Sequence, residues 1–520
     1  MLILADDVGQ DDVDGYWGTN IVEMPNIRRL QSKGVTFMDA HASPLCAPSR
    51  YMLLSGNYQH RGEKLPSTWN FFDGRNQFRA KQKSLPELLR RDGNYHTAMF
   101  GKWHIGLKLP GGGTYNKTNL VTGSNSNWSE PVLQGPNDSG FDYSYFTASG
   151  IQEAPYTFFR NGYLETDLKD IKFWGKGQYM TEVGSSHINR KGEGDVAWDS
   201  TSYNMRLVNE TIAFIDNHLE TRIQDPFFSY VALGAVHKPH SPPIHYFDGS
   251  PVAGVYRDNH LDMLHEMDKV IGSLVDSIES RGIANETIII FSSDNGGVWR
   301  DVDTWQKALR GYKGQITEGG HRIPLIFRYD EHFPQGEKRS RQMVGINDIY
   351  ATLADIVGIK VPNQSAQDSV SFAQYIHSEE NTNGLREYLG TWDYKRVDGK
   401  QIMMSSAIRK KNLKLIQYHY PALQLELYDL NEDLGERNNL LQKDSHYWLV
   451  QEMQKVLKQI GPCPEDTQGK FTLVGGARKG KRKNCSFFKK NPNRCNKYIE
   501  GDLYCNSICN RFFDICERMV

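Results

Sequence analysis

LDMLHEMDKVIGSLVDSIESRGI, residues 261–283, is followed almost at once by TIIIFSSDNGG, residues 287–297. In the first stretch Leu264, Met267, Ile271, Leu274, Val275 and Ile278 recur at helical spacing, which lines them along one side, and Gly282 supplies a stop. The second is an apolar run rich in isoleucine that ends in a turn-forming Asp-Asn-Gly-Gly, the pattern of a buried strand. A helix delivered by a short loop into a buried strand is half of a parallel crossover unit. The fold class that follows is α/β, with a large, mixed but mostly parallel central sheet flanked by helices.

Three further apolar runs have the same character: MLIL at 1–4, YHTAMF at 95–100 and FFSYVAL at 227–233. Beyond about residue 370 the pattern changes. SSAIRKKNLKLIQYHY (405–420) and LQLELYDL (423–430) alternate like short antiparallel strands, and an amphipathic helix is expected near 446–459. The expected organisation is a large domain over 1–370, a smaller α+β subdomain of antiparallel strands over 371–460, and a basic, cysteine-rich tail over 461–520. Three units also fit 520 residues at roughly 150 per domain.

Composition excludes several classes. A formal net charge of -1 gives no broad basic field, so a nucleic-acid partner is not expected. No apolar run is long enough to span a bilayer. Six of the seven cysteines, at 463, 485, 495, 505, 509 and 516, crowd the tail, which reads as a three-disulfide framework; zinc is the weaker alternative because no C-x-x-C pair is present. Asn-x-Ser/Thr sequons begin at Asn116, Asn127, Asn137, Asn209, Asn285, Asn363 and Asn484. Together with the tail they point to an oxidising secretory route. The opening MLILADD is not a signal peptide, and an amino end preceding it is expected. Residues 114–139, rich in Gly, Asn, Ser and Thr, are expected to be an exposed insertion.

Parallel sheets bind ligands beyond the carboxyl ends of their strands. Four strands end in polar residues: Asp6-Asp7, Lys102-Trp103-His104, His237 just beyond 233, and Asp294-Asn295. Asp6, Asp7, Asp294 and Asn295 offer hard oxygens, which suit Ca²⁺, or less well Mg²⁺, rather than zinc. Lys102, His104, His237 and Lys313 add positive charge and titratable nitrogen, a set that fits an anionic substrate. Each has a plainer reading as well: Asp-Asp as a helix cap, DNGG as a turn, and single histidines and lysines as hydrogen-bonded or solvated residues.

The seventh cysteine stands alone in CAPSRYMLLSG, residues 46–56. Pro48 belongs in a first helical turn, so Cys46 is expected at a helix amino terminus, where exposed N–H groups and nearby Arg50 would favour a thiolate. A cysteine nucleophile with a histidine base, or a buried structural cysteine, are both open at this point.

CAPSR at 46–50 with LLSG behind it, GNYHTAMFGKWHIG at 93–106, the opening Asp-Asp, VHKP at 236–239, SDNGG at 293–297 and GYKGQITEGG at 311–320 together resemble the type I sulfatase (arylsulfatase) family of the alkaline phosphatase superfamily, in the family's order, over residues 1 to about 460. The resemblance implies that Cys46 is oxidised to Cα-formylglycine by a formylglycine-generating enzyme. It implies that Asp6, Asp7, Asp294 and Asn295, with residue 46, hold Ca²⁺, and that Arg50 steadies residue 46. Lys102 and Lys313 would offset charge on the sulfuryl oxygens, His237 would serve the leaving alcohol as acid, and His104 would take a proton as sulfate departs. Ser55 stands where the family usually has Thr. The implied substrates are sulfate monoesters, aryl sulfates or sulfated sugars of polysaccharides and glycosaminoglycans; the implied setting is secreted or lysosomal. Two alternatives are a phosphate or phosphonate ester hydrolase of the same superfamily, and an inactive polysaccharide binder using RKGKRKNCSFFKK (478–490). Aromatics in GFDYSYFTASGIQEAPYTFFRNG (140–162) could stack on a sugar ring or fill the core.

Overall fold

In a computed structural model of the chain, the helix and strand expected over 261–297 are both present, as Asn259–Ser280 and Ile289–Ser293. The structure describes residues 1–17, 21–64, 69, 76–112, 121–177, 179–298, 308–331, 337–377, 385–397, 400–420, 422–442, 446–462, 471–472 and 482–483. The six tail cysteines and the basic run around 478–490 lie outside the described residues, apart from the backbone of 482–483.

The main sheet uses strands β1 (Leu2–Ala5), β2 (Gly34–His41), β3 (His96–Lys102), β4 (Tyr143–Thr147), β5 (Phe159–Arg160) and β6 (Tyr163–Leu164). A separate two-stranded ribbon, β7 (Ile171–Trp174) with β8 (Gly192–Asp195), follows, and β9 (Phe227–Ala232), β10 (Ile289–Ser293), β11 (Leu325–Arg328) and β12 (Lys338–Gly345) complete the main sheet. Its order is β12-β2-β11-β10-β1-β9-β3-β4-β5-β6. The core β10-β1-β9-β3-β4 is parallel, while β11 runs antiparallel to both β10 and β2. All four residues of β1 are fully buried, as a central strand covered on both faces must be. Leu2, Ile3 and Leu4 each contribute about 1.5–3 kcal/mol by leaving water.

The α-helices among the described residues are α1 (Pro25–Gln31), α2 (Cys46–Ser55), α3 (Leu85–Gly93), α4 (Tyr203–Thr221), α5 (Asn259–Ser280), α6 (Glu318–His321), α7 (Asp348–Ile356), α8 (Ala373–His377) and α9 (Tyr447–Ile460). α1, α4 and α5 pack together, and α2, α3 and α7 form a second group. Helix α5 starts on Asp258, whose carboxylate accepts the amides of His260 and Leu261, and buries all six residues of the stripe. Gly282 follows it at φ +70, a conformation that favours glycine.

Toward the carboxyl end, β13 (Tyr388–Val397), β14 (Lys400–Lys410), β15 (Leu413–Tyr418) and β16 (Gln424–Asp429) form an antiparallel meander with α9 packed on β13 and β14. The first of these strands gave no distinct sequence signal. The 121–139 part of the expected exposed insertion is mostly exposed or half-buried, with Val121, Ser124, Val132 and Ser139 buried within it, and Ser124 and Ser139 donate to carbonyls of their own turns. Of the two readings open for the aromatics of 140–162, the core is the one observed: Tyr145 stacks on Phe158 at 4.5 Å and Phe146 on Phe159 at 5.3 Å, all four buried.

Candidate active site

β10, β1, β9 and β3 are neighbours and parallel, so the polar residues after them converge beyond one edge of the sheet. The chain turns sharply after β1. The amide of Asp6 donates to the Ala235 carbonyl at 2.9 Å, that of Asp7 to Asp294 Oδ1 at 3.2 Å, and that of Val8 to Ser293 Oγ at 3.0 Å. Asp7 takes a left-handed φ of +66 at this turn, which swings consecutive carboxylates to one place.

Cys46 is the first residue of α2 and is buried and free. Ligand atoms of Asp6, Asp7, Cys46 and His237 all lie within 4.8 Å of one another. Asp294 joins them through Arg50, whose Nη2 and Nε donate to its Oδ2 at 2.6 and 3.0 Å. The same guanidinium donates from Nη1 to the Lys102 carbonyl at 3.0 Å and stands 3.6 Å from Asp6. Asn295 Nδ2 donates to Asp7 Oδ1 at 2.9 Å. Lys102 Nζ meets Asp6 Oδ2 at 2.6 Å, and Lys313 Nζ meets Asp7 Oδ1 at 2.5 Å. All sequence-derived site residues except His104 are thus joined by contacts under 5 Å. His104 follows Lys102 by two residues on the same strand end, at φ +56.

The electrostatics follow from burial against close countercharge. Burial resists ionisation of Asp7, but Lys313, His237 and Lys102 outweigh it and hold the carboxyl well below the usual carboxylate range. At Asp294, burial and then Asp6 push the carboxyl up, with Arg50 opposing. His237 falls to about 3, through burial and then the charge of Lys313. Its Nδ1 faces the Lys238 carbonyl at 2.8 Å and must carry the proton, which leaves Nε2 bare 3.6 Å from Asp7. His104 is held well below its ordinary value by burial and then Lys102 and Arg50.

Burial also pushes the Cys46 thiol up to about 11, ahead of the lowering effect of Lys102 and Lys313. The expectation of a stabilised thiolate at the α2 amino terminus is therefore corrected. Desolvation exceeds what the helix end and neighbouring cations supply, and an unmodified Cys46 is a poor nucleophile.

The residues fit a divalent cation. Asp6 Oδ1 and Asn295 Oδ1 are both buried without any hydrogen-bond partner, an arrangement that costs energy unless something positive meets these oxygens. The carboxylates and the amide oxygen are hard donors of the kind calcium takes. Further polar atoms escaped the sequence reading. Ser293 Oγ ties the two acidic turns together. Ser149 Oγ and Gln152 Oε1 are buried and unpartnered on the segment after β4, where a Cβ on Gly150 would meet both Gln152 Oε1, at 2.7 Å, and the Lys102 stem, at 2.8 Å. Nothing in their spacing marks them; they are found only once β4 is laid beside β3.

Residues 1–359 match the Sulfatase family, and residues 312–461 match the N-sulphoglucosamine sulphohydrolase C-terminal family. The chain belongs to the type I sulfatase family. Its activity class is that of a sulfuric ester hydrolase. Among similar curated proteins is an N-acetylgalactosamine-6-O-sulfatase of Bacteroides thetaiotaomicron, 26% identical, with 88% of this chain and 92% of that protein covered. A solved sulfatase from a glycosaminoglycan-metabolising locus of the same species superposes with a TM-score of 0.70 at 24% identity, over 88% of this chain and 98% of that one. A phosphonate monoester hydrolase of Agrobacterium radiobacter shares the fold more distantly, with a TM-score of 0.53 at 17% identity, over 93% of this sulfatase and 99% of that chain. No helix among the described residues of the sulfatase is long and apolar enough to cross a membrane.

Proposed function

We propose that this sulfatase hydrolyses sulfate monoesters of sulfated sugars, through a formylglycine made from Cys46 by a formylglycine-generating enzyme and with one bound Ca²⁺. The observation that carries the reading is the meeting of Cys46 with Asp6, Asp7 and His237 inside 4.8 Å, bracketed by two lysines. Asp6, Asp7, Asp294 and Asn295, with residue 46, would hold the ion, whose chemistry is to lower the pKa of a bound hydroxyl and to neutralise a sulfate oxygen. Formylglycine supplies a hydrated aldehyde that can accept the sulfuryl group and later release it.

Around that group the chain's own residues have distinct tasks. Arg50 is fully buried and fixes Asp294 while bracing the carbonyl of Lys102, so it orients both ends of the site. Lys102 and Lys313 place two ammoniums where an anionic ester would bind and where negative charge grows on sulfuryl oxygens. His237, neutral with Nε2 bare, takes up a proton once an anion offsets the Lys313 charge, and then protonates the departing alkoxide. His104 stays neutral and can accept a proton when sulfate leaves. The unpartnered oxygens of Gln152 and Ser149, beside the Lys102 stem, would be candidates for further polar contacts near the site.

A glycosaminoglycan or related sulfated polysaccharide is the substrate class we favour, in keeping with the sulfated hexosamine in the name of the bacterial relative. A secretory or lysosomal setting is supported by the exposed Asn127, Asn209, Asn285 and Asn363 sequons. Asn137 is different, since its amide group donates to Phe141 and accepts from Ser144. Mass spectrometry of the peptide spanning Cys46 in native-source protein tests the reading together with turnover of an aryl sulfate against an aryl phosphate. An aldehyde with sulfate turnover is expected. An unmodified thiol favours the inactive binder, and faster phosphate turnover favours the phosphate or phosphonate hydrolase.

A further inference from the structure

The loop that carries Lys313 is closed on itself and pinned from below by a buried charge cluster that no part of the proposed chemistry uses. Gly319 N donates to the Arg310 carbonyl at 2.7 Å, which shuts the loop at its base. From its tip, Lys313 N reaches the Gly297 carbonyl at 2.9 Å and Gly314 N the Pro44 carbonyl at 2.8 Å, so the loop touches both the Asp294-Asn295 turn and the approach to Cys46. Gly296 N donates to Gly320 O at 2.9 Å, and a Cβ on Gly296 would lie 2.0 Å from the Gly319 carbonyl; the contact admits only glycine.

Beneath the base, Lys414 of β15 is fully buried, with its Nζ 2.8 Å from Glu318 Oε1 and 2.8 Å from Glu436 Oε1. Glu436 Oε2 accepts the Glu318 amide at 2.8 Å. His321 Nε2 lies 3.1 Å from the same Nζ, and Arg322 closes Glu318 Oε2 at 2.7 Å. His41, Glu318 and His321 group closely enough to suggest a metal site, but the ammonium of Lys414 already sits against two of the three. A lysine this deep persists only when paired, and it bridges two carboxylates that would otherwise repel. Glu318 and Glu436 both close on the loop's base, whereas Lys414 belongs to the antiparallel sheet.

We infer that Lys414 is a positioning residue: by holding Glu318 and Glu436 together it fixes the 310–320 loop and so sets Lys313 against Asp7. This rests on the reading of Lys313 as a sulfate clamp. Its consequence is that the carboxyl-terminal sheet takes part in sulfate binding without touching sulfate.

The test is a double-mutant cycle of Lys313→Ala and Lys414→Met on the full, calcium-loaded chain. Affinity for inorganic sulfate is measured calorimetrically with Cys46 unmodified, and kcat and KM for an aryl sulfate on the modified protein. K414M alone should lower both sulfate affinity and kcat/KM about tenfold, the effect of losing a supporting contact behind a binding group. K313A/K414M should be no worse than K313A within roughly twofold, because Lys414 acts through Lys313. K414R should recover most of the loss. If K414M does not fold, K414M/E436Q, which leaves no stranded second carboxylate, takes its place in the cycle. Additive losses, or wild-type sulfate affinity in K414M, overturn the inference while leaving the clamp reading intact. K313A with unchanged sulfate affinity overturns the clamp reading and the inference with it.

Discussion

Glu266 lies on α5, fully buried, with Oε1 accepting Asn204 Nδ2 at 3.1 Å and Oε2 without a partner. Burial pushes its carboxyl from the ordinary 4.5 up to about 8, with the Asn204 hydrogen bond opposing. In the folded protein Glu266 is therefore protonated over a range where the unfolded chain has it ionised. A carboxyl raised on folding contributes no penalty below pH 4.5; stability is lost progressively as pH rises from 4.5 to 8, and the loss is complete above that. At about 1.4 kcal/mol per pH unit the full loss is about 5 kcal/mol, comparable with the whole stability of many domains. Glu266→Gln has the shape of the protonated acid and can keep the Asn204 bond, yet cannot ionise. Relative to wild type it should gain stability steadily from pH 5 to about pH 8 and level off above that, by several kcal/mol in all, as measured from urea unfolding at intervals from pH 5 to pH 9. Parallel wild-type and variant curves would refute the reasoning. The site should feel this too: Asn204 Oδ1 accepts the Gly234 amide at 2.9 Å, and the next carbonyl, of Ala235, receives the Asp6 amide.

Two further outcomes follow from the site itself. Arg50→Met leaves Asp294 buried and unpaired; removing one partner of such a pair costs about 3–5 kcal/mol, and the added neutralising change Asp294→Asn should return part of it, both read from denaturant midpoints. Asp7→Asn removes the carboxylate that meets Lys313, Asn295 and His237, and should weaken calcium binding by roughly tenfold or more on loss of about 1.4 kcal/mol or greater, measured by calorimetry on protein with Cys46 unmodified; unchanged affinity would remove Asp7 from the ion's ligands.

The parts of this sulfatase legible in the sequence share one physical property: their determinants are local. The α5 stripe and its Gly282 stop are set by spacing within one segment, and the isoleucine run of β10 is set by burial on both faces. Polar residues directly after apolar strands could be collected as a site because a parallel sheet brings such ends together whatever the intervening chain does. β13 carries no alternating signal because Leu389 to Tyr394 are buried in a row, across a register irregularity between Asp393 and Tyr394, and the exposed Lys395 and Arg396 follow directly. The thiolate expectation failed for a related reason, since a helix amino terminus can be read from Pro48 but the degree of desolvation at Cys46 cannot.

Lys414 marks the boundary of what local reading can reach. In the sequence it is one lysine in an alternating, solvent-like strand, and nothing distinguishes it from Lys410 nearby, whose ammonium is partly exposed and paired with surface carboxylates. Its burial comes from packing β15 against the loop 310–320, a contact between segments about a hundred residues apart. The same packing turns Glu318 and Glu436 from ordinary acidic residues into paired buried charges, Glu318 held well below the usual range with Lys414 outweighing burial, and Glu436 pushed up by burial. The candidate site residues announce themselves through motif chemistry, whereas the buried Lys414 cluster is set by tertiary contact alone; residue type therefore identifies the first group and geometry the second.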